Sequence, residues 1–185
     1  TLGTHIEIVV ETAPELWNAQ IDIVQLELAL INVLVNARDA MTGGGRVFIR
    51  TANIMVPEPL ASQYEGVQPG PYVQLSVQDT GEGMPAEVLA HATEPFFTTK
   101  DVGKGTGLGL SQVYGFVKQS RGFLDIESKL GEGTTIHMYF PVSKQLFSEQ
   151  LNTHHEAAGQ ASEQRESILV VEDNPMNQKL ALQVL

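Results

Sequence analysis

Apolar residues recur along this chain in two rhythms, and each predicts its own kind of element. His5 to Glu11 alternates loosely and is rich in Ile and Val, which predicts a strand. Asp22 to Met41 carries the spacing of a long helix, with Asp22 as its N-cap and Gly43-Gly44-Gly45 as its stop. Within it, eight of the ten residues from Leu28 to Ala37 are apolar, which predicts a helix buried almost all round. Arg46 to Val56 predicts a strand. Val56 to Pro71 holds four prolines and two glycines and predicts an exposed loop. Tyr72 to Gln78 alternates as a strand, and Pro85 suits the first turn of a short helix. Glu94 to Gly107 is polar and glycine-rich around Phe96-Phe97, the pattern of a long mobile loop. Leu108 to Ser120 returns to helical spacing. Phe123 to Ser128 and Thr134 to Val142 predict a hairpin turning at Lys129 to Gly133.

The pattern changes at Ser143. Residues 143–166 are rich in Gln, Glu, Ser, Ala and His and read as a linker. Ser167 to Val171 is an apolar strand running into Glu172-Asp173, and Pro175 to Leu185 reads as the first turns of a helix. One strand and one helix cannot bury a core, so residues 167–185 are expected to open a second domain. The first residue is Thr1, and we expect the chain to be an excerpt of a longer protein. We find no internal repeat.

Composition narrows the function. The 185 residues are 42% hydrophobic and 18% charged, a globular profile with enough length for a core. The absence of cysteine excludes disulfides, thiolate metal sites and cysteine nucleophiles, and fits a reducing compartment. The net charge, 11 − 22 = −11, argues against a broad nucleic-acid surface, although a local site for a small anion remains open. No apolar run approaches the roughly 18 residues of a membrane span.

Three features carry candidate chemistry. Asn32 and Asn36 sit four apart on one face of the apolar helix, with Asp39 three further on. A buried amide without partners costs about 1–3 kcal/mol. The two asparagines therefore either bond neighbouring backbone or line a polar pocket, where an amide oxygen can bind Mg²⁺ beside phosphates. Asp79 ends a strand before Thr80-Gly81-Glu82-Gly83. This is either a tight turn or an acceptor for a ligand amino group, with glycines that admit a flat ring. Glycine then alternates at 103, 105, 107 and 109 before a helix, with Lys100 and Lys104 adding positive charge. Such a loop can form an anion nest, the alternative being a flexible linker. Neither the P-loop spacing nor the dinucleotide fingerprint fits it.

Together, and in this order, these segments resemble the boxes of histidine kinases. Asn32-x-x-x-Asn36-Ala-Arg-Asp-Ala resembles the N box, and Asp79-Thr80-Gly81-Glu82-Gly83-Met84 the first glycine box. Glu94-Pro95-Phe96-Phe97-Thr98-Thr99-Lys100 resembles the F box, and Gly105-Thr106-Gly107-Leu108-Gly109-Leu110 the second glycine box. The resemblance covers residues 1–142 as a catalytic ATP-binding domain. Ile168-Leu-Val-Val-Glu-Asp-Asn-Pro resembles the opening of a receiver domain, so the two together imply a hybrid sensor histidine kinase.

The resemblance implies an α/β fold: a two-layer sandwich of a mixed, mostly antiparallel sheet with helices on one face. It implies ATP and Mg²⁺ as cofactors. Asn36 is then the expected Mg²⁺ ligand, and Asn32 is expected at the phosphates. Asp79 is expected to accept from the adenine amino group, with Gly81 and Gly83 near the base and Thr134 reaching it through water. Gly105, Thr106, Gly107, Leu108 and Gly109 are expected to hold the phosphates, with Lys100 beside them. Asn32 and Lys104 are the expected catalytic residues. Phe96 and Phe97 are expected to hinge and anchor a lid.

The implied reaction transfers the ATP γ-phosphoryl to a histidine nitrogen. Related ATPases of the gyrase and chaperone type place a Glu in the N box to activate water, but Asn32 stands there. Glu27, five residues earlier, lies off that face. None of His5, His91, His137, His154 and His155 reads as the phospho-acceptor, so the chain is expected to bind Mg-ATP without phosphorylating itself. Glu172 and Asp173 resemble the acidic Mg²⁺ pair of receivers. The implied partners are ATP or ADP, a histidine-containing dimerisation domain of the same protein, and a receiver domain or response regulator. Nucleic acid and membrane contact are not expected of this chain. A cytoplasmic location is expected, with the parent protein either free or anchored to a membrane. The alternatives are a gyrase- or chaperone-like ATPase module and a non-catalytic nucleotide-binding regulatory module.

Overall fold

A five-stranded sheet organises the described residues, and its middle strand carries a buried carboxylate at its end. The computed structural model describes residues 5–100 and 105–143. In chain order the elements are β1 (Ile6–Glu11), α1 (Ile23–Ala40), β2 (Gly45–Val56), α2 (Glu58–Ala61), β3 (Gly70–Asp79), α3 (Ala86–Leu89), α4 (Gly109–Gln119), β4 (Phe123–Lys129) and β5 (Gly133–Pro141). The strands lie in the order β1-β2-β3-β5-β4. β1 runs parallel to β2, a pairing that needs a crossover element, and α1 supplies it. The other neighbours are antiparallel, so the sheet is mixed and mostly antiparallel.

Strand parity sets the two faces. Val47, Leu75, Val77, Leu124, Ile136, Met138 and Phe140 point to one side, where Ala29, Val33 and Ala37 of α1 and Val113, Phe116 and Val117 of α4 complete the main core. Both long helices therefore share one face, as expected of a two-layer sandwich. The Asp22 N-cap also holds: its Oδ1 accepts from the backbone N–H of Val24 at 2.9 Å and of Gln25 at 3.2 Å.

Two expectations are corrected. First, α1 is not buried all round. Val24, Leu28, Ile31 and Val35 are 36–67% exposed, on the side opposite Ala29, Val33 and Ala37. A single helix layer has a sheet beneath it and a neighbour beside it, so high apolar content fills only one face. Second, Val56 to Pro71, though mostly exposed, is not an exposed loop throughout. It contains α2 and lays Ala61, Val67 and Tyr64 on the far face of the sheet, against Val56, Tyr72, Phe123 and Tyr139. Phe123 and Tyr139 stack there at 4.2 Å between ring centroids. Burial, reinforced by Asp125, pushes the Tyr64 hydroxyl up to about 12.

The linker from Lys144 onward and residues 167–185, with His154, His155, Glu172 and Asp173, lie outside the described residues. Among the described residues, no helix is long and apolar enough to cross a membrane.

Candidate functional site

Antiparallel pairing puts the start of β5 beside the end of β3, and that junction builds the first half of the site. Asp79 is 8% exposed at the end of the central strand. Its Oδ1 accepts from the Gly81 N–H at 2.8 Å and from the Thr134 N–H at 3.3 Å. Burial pushes its carboxyl above the usual range, and those two backbone donors only partly offset it. A buried carboxylate held by two amides is preorganised to accept a further hydrogen bond. Thr134 is fixed by its hydroxyl, 2.8 Å from that of Ser128, which also accepts from the Met84 N–H at 2.8 Å.

The glycines at this junction have packing reasons of their own. A Cβ on Gly81 would lie 2.8 Å from the Ala40 carbonyl. Gly83 has φ +66°, and a Cβ there would lie 2.1 Å from the Lys129 carbonyl oxygen. The first glycine box is thus required for the strand end to tuck between α1 and the β4–β5 turn.

The second half lies on the facing helices. α1 and α4 pack together, and Asn32 Nδ2 donates to Gln112 Oε1 at 3.1 Å across the contact. Gly109, at the start of α4, faces both asparagines: a Cβ there would meet Asn36 Nδ2 at 3.5 Å and Asn32 Oδ1 at 3.9 Å. Lys100 reaches in from the loop before α4. Its Nζ donates to Asp39 Oδ2 at 2.6 Å and to Asn36 Oδ1 at 3.4 Å. The Asp39 Oδ1 accepts from Arg38 Nε at 2.9 Å and Nη2 at 2.7 Å. Burial pushes the Asp39 carboxyl up, but Lys100 and Arg38 together outweigh it and hold it below the usual range.

The loop between the halves is clasped at its root. The Phe96 N–H donates to the Gly107 carbonyl at 2.9 Å. Phe96 has φ +68°, a costly left-handed conformation for a bulky residue, and its side chain is 75% exposed. Gly107 has φ +66° and would drive a Cβ to 2.4 Å from the Phe96 backbone. Phe97 contacts the His91 ring at 5.6 Å. Gly105 lies against Thr98 and Lys100, while Thr106 Oγ1 accepts from the Leu108 N–H at 3.4 Å. Lys104 lies outside the described residues.

Asp79, Gly81, Gly83 and Thr134 therefore meet at the sheet end, and Asn32, Asn36, Lys100 and Gly109 meet between the helices. Sequence reasoning assigned no role to Asp39, Gln112 or Ser128. Asp39 was visible on the asparagine stripe. Gln112 and Ser128 are ordinary polar residues whose partners lie 80 and 6 residues away, and no local pattern marks them.

The donor chemistry fits the implied groups. The Asn36 amide oxygen already faces a cation, Lys100 Nζ, and amide and carboxylate oxygens are the hard donors that Mg²⁺ takes. The buried Asp79 offers an acceptor, and the start of α4, whose N-cap Leu108 makes no side-chain capping bond, presents the first-turn N–H groups of a helix.

Residues 21–144 match the model of the histidine kinase-, DNA gyrase B- and HSP90-like ATPases. The chain belongs to this family. Among curated proteins it is 46% identical over 140 residues to sensor kinase CckA of Brucella abortus (strain 2308), covering 76% of this chain and 15% of that protein. It is 35% identical over 118 residues to sporulation kinase E of Bacillus subtilis (strain 168), covering 64% and 14%. The chain thus spans about one seventh of these two relatives. Among solved structures, the mycobacterial sensor histidine kinase MprB matches with TM-score 0.58 and 29% identity over 75% of this chain and 83% of that one. Full-length ShkA in complex with AMPPNP matches with TM-score 0.58 and 27% identity, covering 75% and 26%. The ATPase domain here is of the histidine kinase type, and its sheet and helices have the fold of those ATP-binding domains.

Proposed function

We propose that this chain is the Mg-ATP-binding catalytic domain of a hybrid sensor histidine kinase, followed from residue 167 by the start of a receiver. The observation that supports it best is the buried Asp79 at one end of a site whose other end gathers Asn32, Asn36, Lys100 and Gly109. A purine amino group pairs with Asp79. The phosphates extend toward Gly105–Gly109 and the first N–H groups of α4, and Lys100 and Lys104 offset their charge. Asn36 would hold Mg²⁺, which would supply charge neutralisation at the phosphate oxygens.

The acceptor is a neutral imidazole on a separate dimerisation domain. Its nitrogen forms a bond to the γ-phosphorus as the bond to the ADP oxygen breaks, and the imidazole proton passes to solvent. Imidazole needs no activating base, so the domain contributes positioning and charge. Asn32 accepts protons poorly, and this favours transfer to histidine over transfer to water. Kinase activity and these partners belong to the whole protein.

The test is to incubate the chain with γ-labelled Mg-ATP, alone and with a histidine-bearing dimerisation domain from a related sensor kinase. We expect ATP binding, little phosphate release by the chain alone, and acid-labile label on the added domain. Steady phosphate release without transfer would instead favour the gyrase-like ATPase reading. Binding with neither outcome would favour a non-catalytic nucleotide-binding module.

A further inference from the structure

Asp39 sits one helical turn beyond Asn36, and its two oxygens take two different cations. One accepts from Arg38, and the other holds Lys100 Nζ at 2.6 Å. The same ammonium lies 3.4 Å from Asn36 Oδ1. The Lys100 backbone belongs to the loop before α4, where its N–H donates to Thr98 Oγ1 at 3.1 Å. Asp39 therefore draws a loop cation onto the very oxygen that the proposed site offers to a metal.

We infer that Asp39 is a positioning residue that parks Lys100 against Asn36, so that an internal cation holds the place a divalent ion takes when nucleotide binds. The inference rests on the nucleotide-site reading above. Its reason is electrostatic. A Mg²⁺ ligand distance is about 2.1 Å, so a metal on Asn36 Oδ1 and an ammonium 3.4 Å from that atom would lie no more than about 5.5 Å apart. Two cations that close repel, and the long lysine stem is the part able to yield. Without a divalent ion, Lys100 serves the phosphates in its stead. With one, Lys100 gives up Asn36 and keeps only the phosphates. An ordinary surface ion pair would show no such exchange.

The test is a ratio. ADP is titrated calorimetrically into the 185-residue chain, once with a chelator and once with excess Mg²⁺, and the two Kd values are divided. We expect Lys100→Met to raise the factor by which Mg²⁺ tightens ADP binding about fivefold or more, chiefly by weakening metal-free binding. Lys100→Arg keeps the cation and should stay near the wild-type factor. Asp39→Asn should raise the factor in the wild-type background and add nothing once Lys100 is Met, because Asp39 acts through Lys100. A merely structural effect would move both Kd values together and leave the ratio unchanged. An unchanged ratio in Lys100→Met, or an equal Asp39→Asn shift in both backgrounds, overturns the inference. Absence of ADP binding by the wild type would overturn the nucleotide-site reading itself, a result distinct from binding with an unchanged ratio.

Discussion

The two ends of the candidate site are built from different materials. At the sheet end, Asp79 is buried and its side chain is gripped by backbone N–H groups of its own turn and of β5. At the helix end, side chains grip side chains: Asn32 with Gln112, and Lys100 with Asn36 and Asp39, all partly exposed except Gln112, which is exposed. Their carboxylates are displaced in opposite directions, Asp79 upward by burial and Asp39 downward by Lys100 and Arg38 against the pull of burial. A backbone-held end is rigid and shape-selective. A side-chain-held end can exchange partners, which a site receiving a charged, mobile group requires.

The sharpest way to break the rigid end is at a glycine. Gly83→Ala would put a Cβ 2.1 Å from the Lys129 carbonyl at φ +66°, a clash with backbone that no side chain can relieve. Together the strain and overpacking should cost about 2–4 kcal/mol, read as a lower denaturation midpoint in urea with an unchanged slope. No single substitution at the side-chain end should approach that loss.

Asp79→Asn separates binding from folding. The Asn keeps an Oδ1 acceptor for Gly81 and Thr134 but loses the charge. ATP affinity should fall more than tenfold, about 1.5–3 kcal/mol, in a calorimetric titration. Thermal stability at pH 7 should nevertheless hold or rise. A carboxyl whose folded pKa lies above its unfolded value binds more protons in the native state, so its ionisation lowers stability as pH rises from about 3.8 through the folded value. The advantage of Asp79→Asn should therefore shrink on acidification. A variant that bound ATP normally would remove Asp79 from the site.

Asp39 should respond to pH with the opposite sign. Its folded pKa lies below the usual carboxylate value, so the stability it contributes is present above about pH 3.8 and is lost as pH falls through the folded value. Wild type should be modestly more stable than Asp39→Asn at pH 7, by the small margin of partly exposed ion pairs, and the two should converge in strong acid. Thermal melts of both proteins across an acid series would show it. A gap that widened on acidification would contradict the charge network.

What the sequence disclosed follows the same division. Asp79 and its glycines were legible because a strand end and a tight turn are local, and Asp22 was legible as a cap for the same reason. Asn32 and Asn36 stood out because amides on an apolar stripe are costly. The exposed outer side of α1 was not legible, because apolar content does not reveal how many layers a fold will stack on a helix. Nor was the burial of Ala61 and Val67 and the packing of Tyr64 beside them, since four prolines signal irregular backbone and say nothing of what it covers. Gln112 and Ser128 depend on pairings between elements that only the completed topology creates.

The smallest expected effect is at the tie between the helices. Asn32 Nδ2 donates to Gln112 Oε1 at 3.1 Å, with Asn32 partly exposed and Gln112 exposed. Water can replace such a bond, so Gln112→Ala should cost at most about 0.5–1 kcal/mol of folding stability. If the tie also aims Asn32 at the phosphates, ATP affinity should fall slightly, while adenosine, which lacks phosphates, should bind as before. A loss shared equally by ATP and adenosine would show that the two ends are not independent, and that the flexible half of the site holds the rigid half in place.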